Sequence, residues 1–344
     1  MRDEPAERAG SAAIAWVDAA TLTIAGKGWP DESRTYERLP SRAEGRIPAE
    51  PWAQSCAAAG ITIRFTSDAT QLLARWLDFN GLPAVDQTGP DRPALYVRHR
   101  GVWTWLGTAK QIQAGPEHQL HRGRLPAEQR EYLICLPISH GLKRFEIGIP
   151  AGAGIAAGQP PAGKPLVFYG TSITQGGAAS RPGSSHVSII ERHFDRPVVN
   201  LGFAGSGRME PEVIALVSEL DAAVFVIDCL PNMVEAEVAE RLEPAVHRLR
   251  ADHPATPLVL VESVPYEDGF LVAERRSRYT GSNRALRAGF ARLVAAGVCG
   301  LHYIPAEDLF NGTADATVDG THPNDLGHRL VADCFIRTLA PLLL

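Results

Sequence analysis

A serine hydroxyl attacks a carbonyl when a base takes its proton and a third group orients that base. Ser172 is a candidate nucleophile. It follows the apolar run PLVFYG and is flanked by Gly170, Gly176 and Gly177 in GTSITQGG. His322 is the candidate base and Asp319, three residues earlier in TVDGTHP, the candidate orienting group. Gly320 and Pro323 favour the tight turn that brings a carboxylate to an imidazole nitrogen. A developing oxyanion needs preorganised donors. The backbone N–H groups of Ser172 and Gly202 and the side-chain amide of Asn232 could supply them. Each position also has an ordinary structural reading. Ser172 or Gly202 could form a turn, Asn232 could cap the helix VEAEVAERL, and Asp319 could cap the last helix.

Other chemistry fits less well. GTSITQGG lacks the GK[ST] ending of a phosphate loop, and GFAGSG runs GxxGxG rather than GxGxxG. His322, His328, Asp319 and Asp325 could crowd together, but their spacing is not one helical face and no HExxH accompanies them. No metal and no cofactor are expected. His186 and His193 fall on a predicted helix, as packing or surface residues.

The elements that must position these residues divide in two. From residue 165 the apolar runs PLVFYG, PVVNLG, AAVFVIDC, PLVLVES and GLHYIPA alternate with amphipathic stretches. That pattern predicts an α/β domain over 165–344, a parallel sheet covered on both faces. Ligands of such sheets bind at the carboxyl ends of the strands, where Ser172, Gly202 and Asn232 fall. Residues 1–150 hold short β-rich runs parted by Gly, Pro, Asp and Asn, which predict an antiparallel β-sandwich. All six tryptophans lie here. Trp103 and Trp105, two apart on one strand, share a face that is either core or a stacking platform for sugars. Residues 151–164, rich in Gly and Pro, read as the linker.

The 344 residues exceed one typical core, in keeping with two domains. A net charge of −5 argues against a nucleic-acid partner. No run is apolar enough to span a bilayer, so no membrane partner is expected. The start, MRDEPAERAG, does not read as a secretory signal, and the five scattered cysteines form no CxxC pair. A cytoplasmic enzyme is the expectation.

Four blocks, GTSIT, NLG, DCLPNM and DGTHP, resemble those of the SGNH (GDSL-type) hydrolase superfamily, in the same order. The strings GTSITQGG, SRPG, DCLPNM and TVDGTHP are similar to a two-domain branch, whose first domain ALYVRHRGVWTWLG and RFEIGIP also resemble. The resemblance implies a C-terminal three-layer α/β/α, flavodoxin-like domain behind a jelly-roll-like β-sandwich. It implies Ser172 as nucleophile, His322 as base, Asp319 as its orienting group, and Ser172, Gly202 and Asn232 as oxyanion hole. No cofactor is implied. Thr171 stands where that family usually has Asp. The substrate expected is a small-molecule or oligosaccharide ester, O-acetyl above all. Acyl transfer by the same residues, or glycan binding by an inactive domain, are the alternatives. The polar, basic segment 267–283 should overhang the site as a loop, with Arg275, Arg276 and Arg278 available to substrate. Arg181 in ASRPG could also contact substrate.

Overall fold

The computed structural model describes residues 13–84, 89–112 and 115–343. The opening segment MRDEPAERAG lies outside the described residues.

The five apolar runs form one parallel sheet. Its strands are β1 (Leu166–Gly170), β2 (Val198–Gly202), β3 (Val224–Asp228), β4 (Leu258–Val261) and β5 (Leu301–Ile304), in the order β2-β1-β3-β4-β5. Side chains alternate between two apolar layers because successive residues of a strand point to opposite faces. Tyr169, Leu201, Ile227 and Leu260 pack with helices α3 (Pro211–Val217), α4 (Glu235–Asp252) and α5 (Ala273–Ala295). Phe168, Val198, Val226 and Val259 pack with α2 (His186–Phe194) and α6 (Asp325–Leu339). This is a three-layer α/β/α arrangement.

Helix α5 departs from the expected loop over 267–283. A short 3-10 turn (Glu267–Phe270) leads into a helix from Ala273 onward. Its buried residues begin only at Gly281 and Ser282 and continue through Asn283, Ala285, Leu286, Gly289 and Leu293, so the first two turns carry no buried apolar residue to mark the helix. Phe270 and Leu271 stand exposed at the tip of the turn.

The N-terminal region forms two antiparallel sheets. One orders the strands Ile14–Asp18, Leu142–Pro150, Leu73–Asp78, His118–Gln119 and Lys110–Gln111. The other orders Ile155–Ala157, Thr62–Ser67, Arg130–Cys135, Ala94–His99 and Val102–Thr108, with Thr23–Ala25 also against Thr62–Ser67. Phe65, Trp76, Tyr132 and Phe145 fill the core between them. Part of the expected linker is therefore an edge strand of this region, since Ile155–Ala157 pairs with Thr62–Ser67.

The contact between the two regions is built in. Trp29, Leu39 and Ala43 from the N-terminal part join the α/β core. Gly60, at φ +79°, passes so close to β2 that a Cβ there would lie 2.5 Å from Asn200 Cβ. Arg38 is fully buried at the same place. It donates to Asn200 O (3.2 Å) and Gly202 O (2.5 Å) at the end of β2, and to Ala57 O and Gln54 O on its own side. Trp103 and Trp105 correct one expectation, because neither belongs to the sandwich core. Trp103 Nε1 donates to Asp195 Oδ1 (2.9 Å) and its ring lies under the Arg98 guanidinium, while Trp105 is 49% exposed. Both sit on the edge strand Val102–Thr108, which turns Leu106 into the sandwich core while Trp103 packs on Ala94, Tyr96, Leu133 and Cys135, and the strand contacts α2.

Candidate active site

Ser172 opens a one-turn helix, α1 (Ser172–Gln175), directly after β1. Thr171, in the place where Asp was expected, builds this turn. Its Oγ1 accepts from Ile173 N (3.2 Å), and its own N–H donates to Thr174 Oγ1 (3.2 Å), a reciprocal cap. Thr174 Oγ1 in turn donates to Asp228 Oδ2 (2.8 Å) at the end of β3. Burial pushes the Asp228 carboxyl up to about 7, with the Thr174 hydroxyl opposing. Gly176 closes the turn in the left-handed region at φ +110°.

His322 and Asp319 lie on a tight loop before α6. Ser172 Oγ is 2.8 Å from His322 Nε2, and His322 Nδ1 is 2.7 Å from Asp319 Oδ2. The backbone N–H groups of His322 (2.8 Å) and Thr321 (3.0 Å) both donate to Asp319 Oδ1. Burial alone would raise this carboxyl, but those donors and the imidazole outweigh it and hold it below the usual carboxylate range. Asn324, not Asp319, caps α6, through Gly327 N (3.0 Å). The loop is clamped from outside. Glu267 N donates to Gly320 O (2.9 Å), Arg275 Nη2 to Thr321 Oγ1 (2.7 Å), and Ala316 N and Thr317 to the Glu267 carboxylate. Arg275 also pairs with Asp268, and Arg278 donates to Met233 O, so these two arginines hold the scaffold.

The oxyanion donors need one correction. Gly202 N–H is donated to Asn200 Oδ1 (2.9 Å), so it is not free for a substrate. Gly202 is there because β2 passes against α1, and a Cβ would lie 2.1 Å from Gln175 N. Three residues on, Gly205 sits at φ +72° with open space around it, and its N–H has no partner among the described residues. The loop it belongs to touches the nucleophile turn, since a Cβ on Gly207 would lie 1.9 Å from Gly170 O. Asn232 is not a helix cap either. Val234 precedes α4, with its N–H bonded to Glu237 (2.9 Å), and the Asn232 amide donates to Ser206 O. One N–H of that amide is thereby fixed on the Gly205–Gly207 loop, leaving the other to point elsewhere. The first N–H groups of a helix lack intrahelical partners, and Ser172 N is such a donor.

The family models agree with this architecture. A GDSL-like lipase/acylhydrolase family model matches residues 163–340, just over half the chain. The chain belongs to the GDSL-like lipase/acylhydrolase family. The N-terminus of Esterase_SGNH_hydro-type matches residues 14–155. A putative GDSL-like lipase from Bacteroides ovatus is 29% identical with a TM-score of 0.90, over 96% of this chain and 98% of that one. A salicylyl-acyltransferase from a tetracycline biosynthetic pathway is 20% identical at TM-score 0.76, over 97% and 98%. A family two carbohydrate esterase from Cellvibrio japonicus is 12% identical at TM-score 0.59, over 96% and 98%. The last two likenesses concern the fold alone. No curated protein matches the chain. Among the described residues no helix of this family member is long and apolar enough to cross a membrane.

The remaining expected positions are occupied by scaffold work. Arg181 stacks over Trp105 at 5.2 Å, joining the nucleophile-side loop to the sandwich. Asp325 accepts from Ser180 N (2.8 Å) and from its hydroxyl. His328 turns inward, where Nε2 donates to Gly177 O (3.1 Å) and Nδ1 accepts from His186 N (3.3 Å). His186 stacks on it, fully buried. Burial holds both imidazoles neutral; the neighbouring His328 lowers His186 further, and His328 is pushed down to about 4 by burial against the opposing pull of Gly177 O and Asp325.

This pair predicts acid lability. In the unfolded chain His328 takes a proton near pH 6.5, and in the fold not until about 4. Stability from this pair is therefore complete above about pH 6.5 and is lost as pH falls through 4. The span for one imidazole corresponds to roughly 3 kcal/mol. Melting temperature followed from pH 7 to 4 should fall, and His328→Gln should flatten that fall even if it is less stable at pH 7. A slope identical in wild type and variant would remove His328 as the cause.

Proposed function

We propose that the protein is a serine-dependent ester hydrolase acting on O-acyl, above all O-acetyl, esters of carbohydrates or small metabolites. The hydrogen-bonded series Ser172–His322–Asp319 carries this reading, because it is the arrangement that makes a hydroxyl nucleophilic. With Nδ1–H donated to Asp319, His322 Nε2 is left as acceptor for the Ser172 proton. Ser172 Oγ then attacks the ester carbonyl, and the imidazolium returns its proton to the leaving alkoxide. The resulting acyl-enzyme is cleaved by water that His322 deprotonates. Ser172 N–H, Gly205 N–H and the second N–H of Asn232 serve as the oxyanion donors in this scheme.

Acyl transfer uses the same first half and differs in the acceptor that resolves the acyl-enzyme. Transfer profits from excluding water. The side chains of His322 and Asp319 are 35% and 51% exposed, an opening that favours hydrolysis. A purely glycan-binding role has no use for the aligned triad. The family membership supports acyl-ester chemistry, and the fold shared with carbohydrate esterases makes acetylated sugars the first substrates to try.

Asn232→Ala should lower kcat by about 10²–10³-fold on 4-nitrophenyl acetate, with KM little changed, as for loss of one oxyanion donor. Unchanged kcat would remove Asn232 from the hole and leave it as a tether for Ser206.

A further inference from the structure

We propose that a pocket beside the oxyanion loop, between Arg208 and Arg241, holds a carboxylate carried by the ester substrate. This rests on the ester-hydrolase reading and names a substrate class for it. The loop Gly205–Arg208 has two sides. One touches the nucleophile turn through Gly207 and the Asn232 amide through Ser206 O. The other lines a cavity of about 240 Å³ with Pro48, Glu50 and Arg241. That cavity shares Pro48, Glu210 and Arg241 with a cleft of about 680 Å³ running between α3 and α4.

The polar groups there are arranged for an anion. Arg208 Nη2 donates to Gly205 O (3.1 Å), and Arg241 Nη1 donates to Arg208 O (3.1 Å). Each guanidinium is thus tethered by one nitrogen, and neither is in an ion pair among the described residues. The remaining N–H groups of two planar forks suit the two oxygens of a carboxylate. Ser206 is only 4% exposed, and its Oγ has no partner among the described residues. A buried hydroxyl without a partner is costly, and this one belongs to a residue that lines the cavity. Of the carboxylates, Glu212 and Glu240 line only the adjoining cleft, and the two that line the cavity itself do not fill the role. Glu210 Oε2 takes Arg208 N–H (2.7 Å) and the Tyr169 hydroxyl, and Glu50 is exposed at the rim.

Geometry also says where the carboxylate lies in the ester. His322, which meets the leaving oxygen, precedes α6 on one face of the sheet. Arg241 belongs to α4 on the other. A carboxylate held by Arg241 is therefore approached from the α4 side of the sheet, away from the helix layer that His322 leads into. An acyl group ending in a carboxylate meets this directly. An acidic sugar ester whose carboxylate reaches round the loop presents the same chemistry.

Two matched substrate pairs separate these sources. The first is 4-nitrophenyl hemiglutarate against 4-nitrophenyl pentanoate. The second is an O-acetylated methyl glucuronide against its methyl ester. In one pair the anionic member should be favoured in kcat/KM by the wild type. Arg208→Gln/Arg241→Gln, which keeps a donor at each position, should reduce that preference on the order of 10–100-fold. Absolute rates are expected to move as well, so the ratio is the quantity to read. No preference in either pair, or a preference that survives the double substitution, overturns the proposal. If no ester is turned over at all, the hydrolase reading fails first. Calorimetric binding of 4-nitrophenyl hemiglutarate to the Ser172→Ala protein still decides the pocket. Binding lost on adding both Arg→Gln changes supports it, and no binding at all, or binding indifferent to them, rules it out.

Discussion

Ser172→Ala and His322→Ala should each lower turnover of 4-nitrophenyl acetate on the order of 10⁴–10⁶-fold. The two residues act as a unit: without the imidazole the hydroxyl keeps its proton, and without the hydroxyl the imidazole has nothing to activate. Asp319→Asn should cost on the order of 10⁴-fold. With its oxygen held by the two backbone N–H groups, the new amide NH2 faces His322 Nδ1 and drives the ring proton onto Nε2, which then cannot take the Ser172 proton. A fluorophosphonate probe gives an independent reading, because it marks the activated serine covalently. It should label the wild type, label Asp319→Asn more slowly, and leave Ser172→Ala unlabelled. Equal ester turnover by wild type and Ser172→Ala would end the serine-hydrolase assignment.

The second large effect is on stability. Arg38→Met should destabilise the protein by about 3–5 kcal/mol, because several buried carbonyls lose their donor at roughly 1–3 kcal/mol each while the cost of burying a charge is relieved. Burial drags the guanidinium down to about 9, yet it stays charged at neutral pH. Its partners are main-chain carbonyls and the face of Phe203 at 4.9 Å. Methionine fills comparable space but leaves those carbonyls without donors in a dry site. Two of them, on Asn200 and Gly202, end the strand that leads into the oxyanion loop. A fall in melting temperature of roughly 10 °C is expected for that loss of stability. A fall of less than about 2 °C would show that the carbonyls find other donors.

The triad was legible because its chemistry is local in type and its strand-end placement follows from the α/β alternation. Ser172 follows the first apolar run, and Asp319 and His322 share one turn. The stretch GFAGSG offers three glycines, and the strand-end rule favours Gly202, whose N–H the structure shows already bonded to Asn200 Oδ1. The signal against it was Asn200, since an Asn side chain readily accepts the N–H two residues on. Asn232 was identified as a donor, but its tether to Ser206 depends on two loops meeting, which spacing does not encode. The stretch NRALRAGFARLVAAG reads as amphipathic, but the first turns of helix α5, from Ala273, carry no buried apolar residue and so do not announce themselves. Trp103 and Trp105 alternate correctly as strand residues, yet alternation says nothing about which layer a sheet face meets. Arg38 was invisible for the same reason in stronger form, because its decisive acceptors lie in another domain.

Those acceptors follow Arg38 by 162 and 164 residues in the sequence. On a ribosome adding about 5–20 residues per second, the arginine is made roughly 10–30 s before they exist. During that interval its charge stays in water, and the surface around Gly60 that will receive Asn200 stays bare. The sandwich thus emerges first but is finished last, completed by the strand that it later supports.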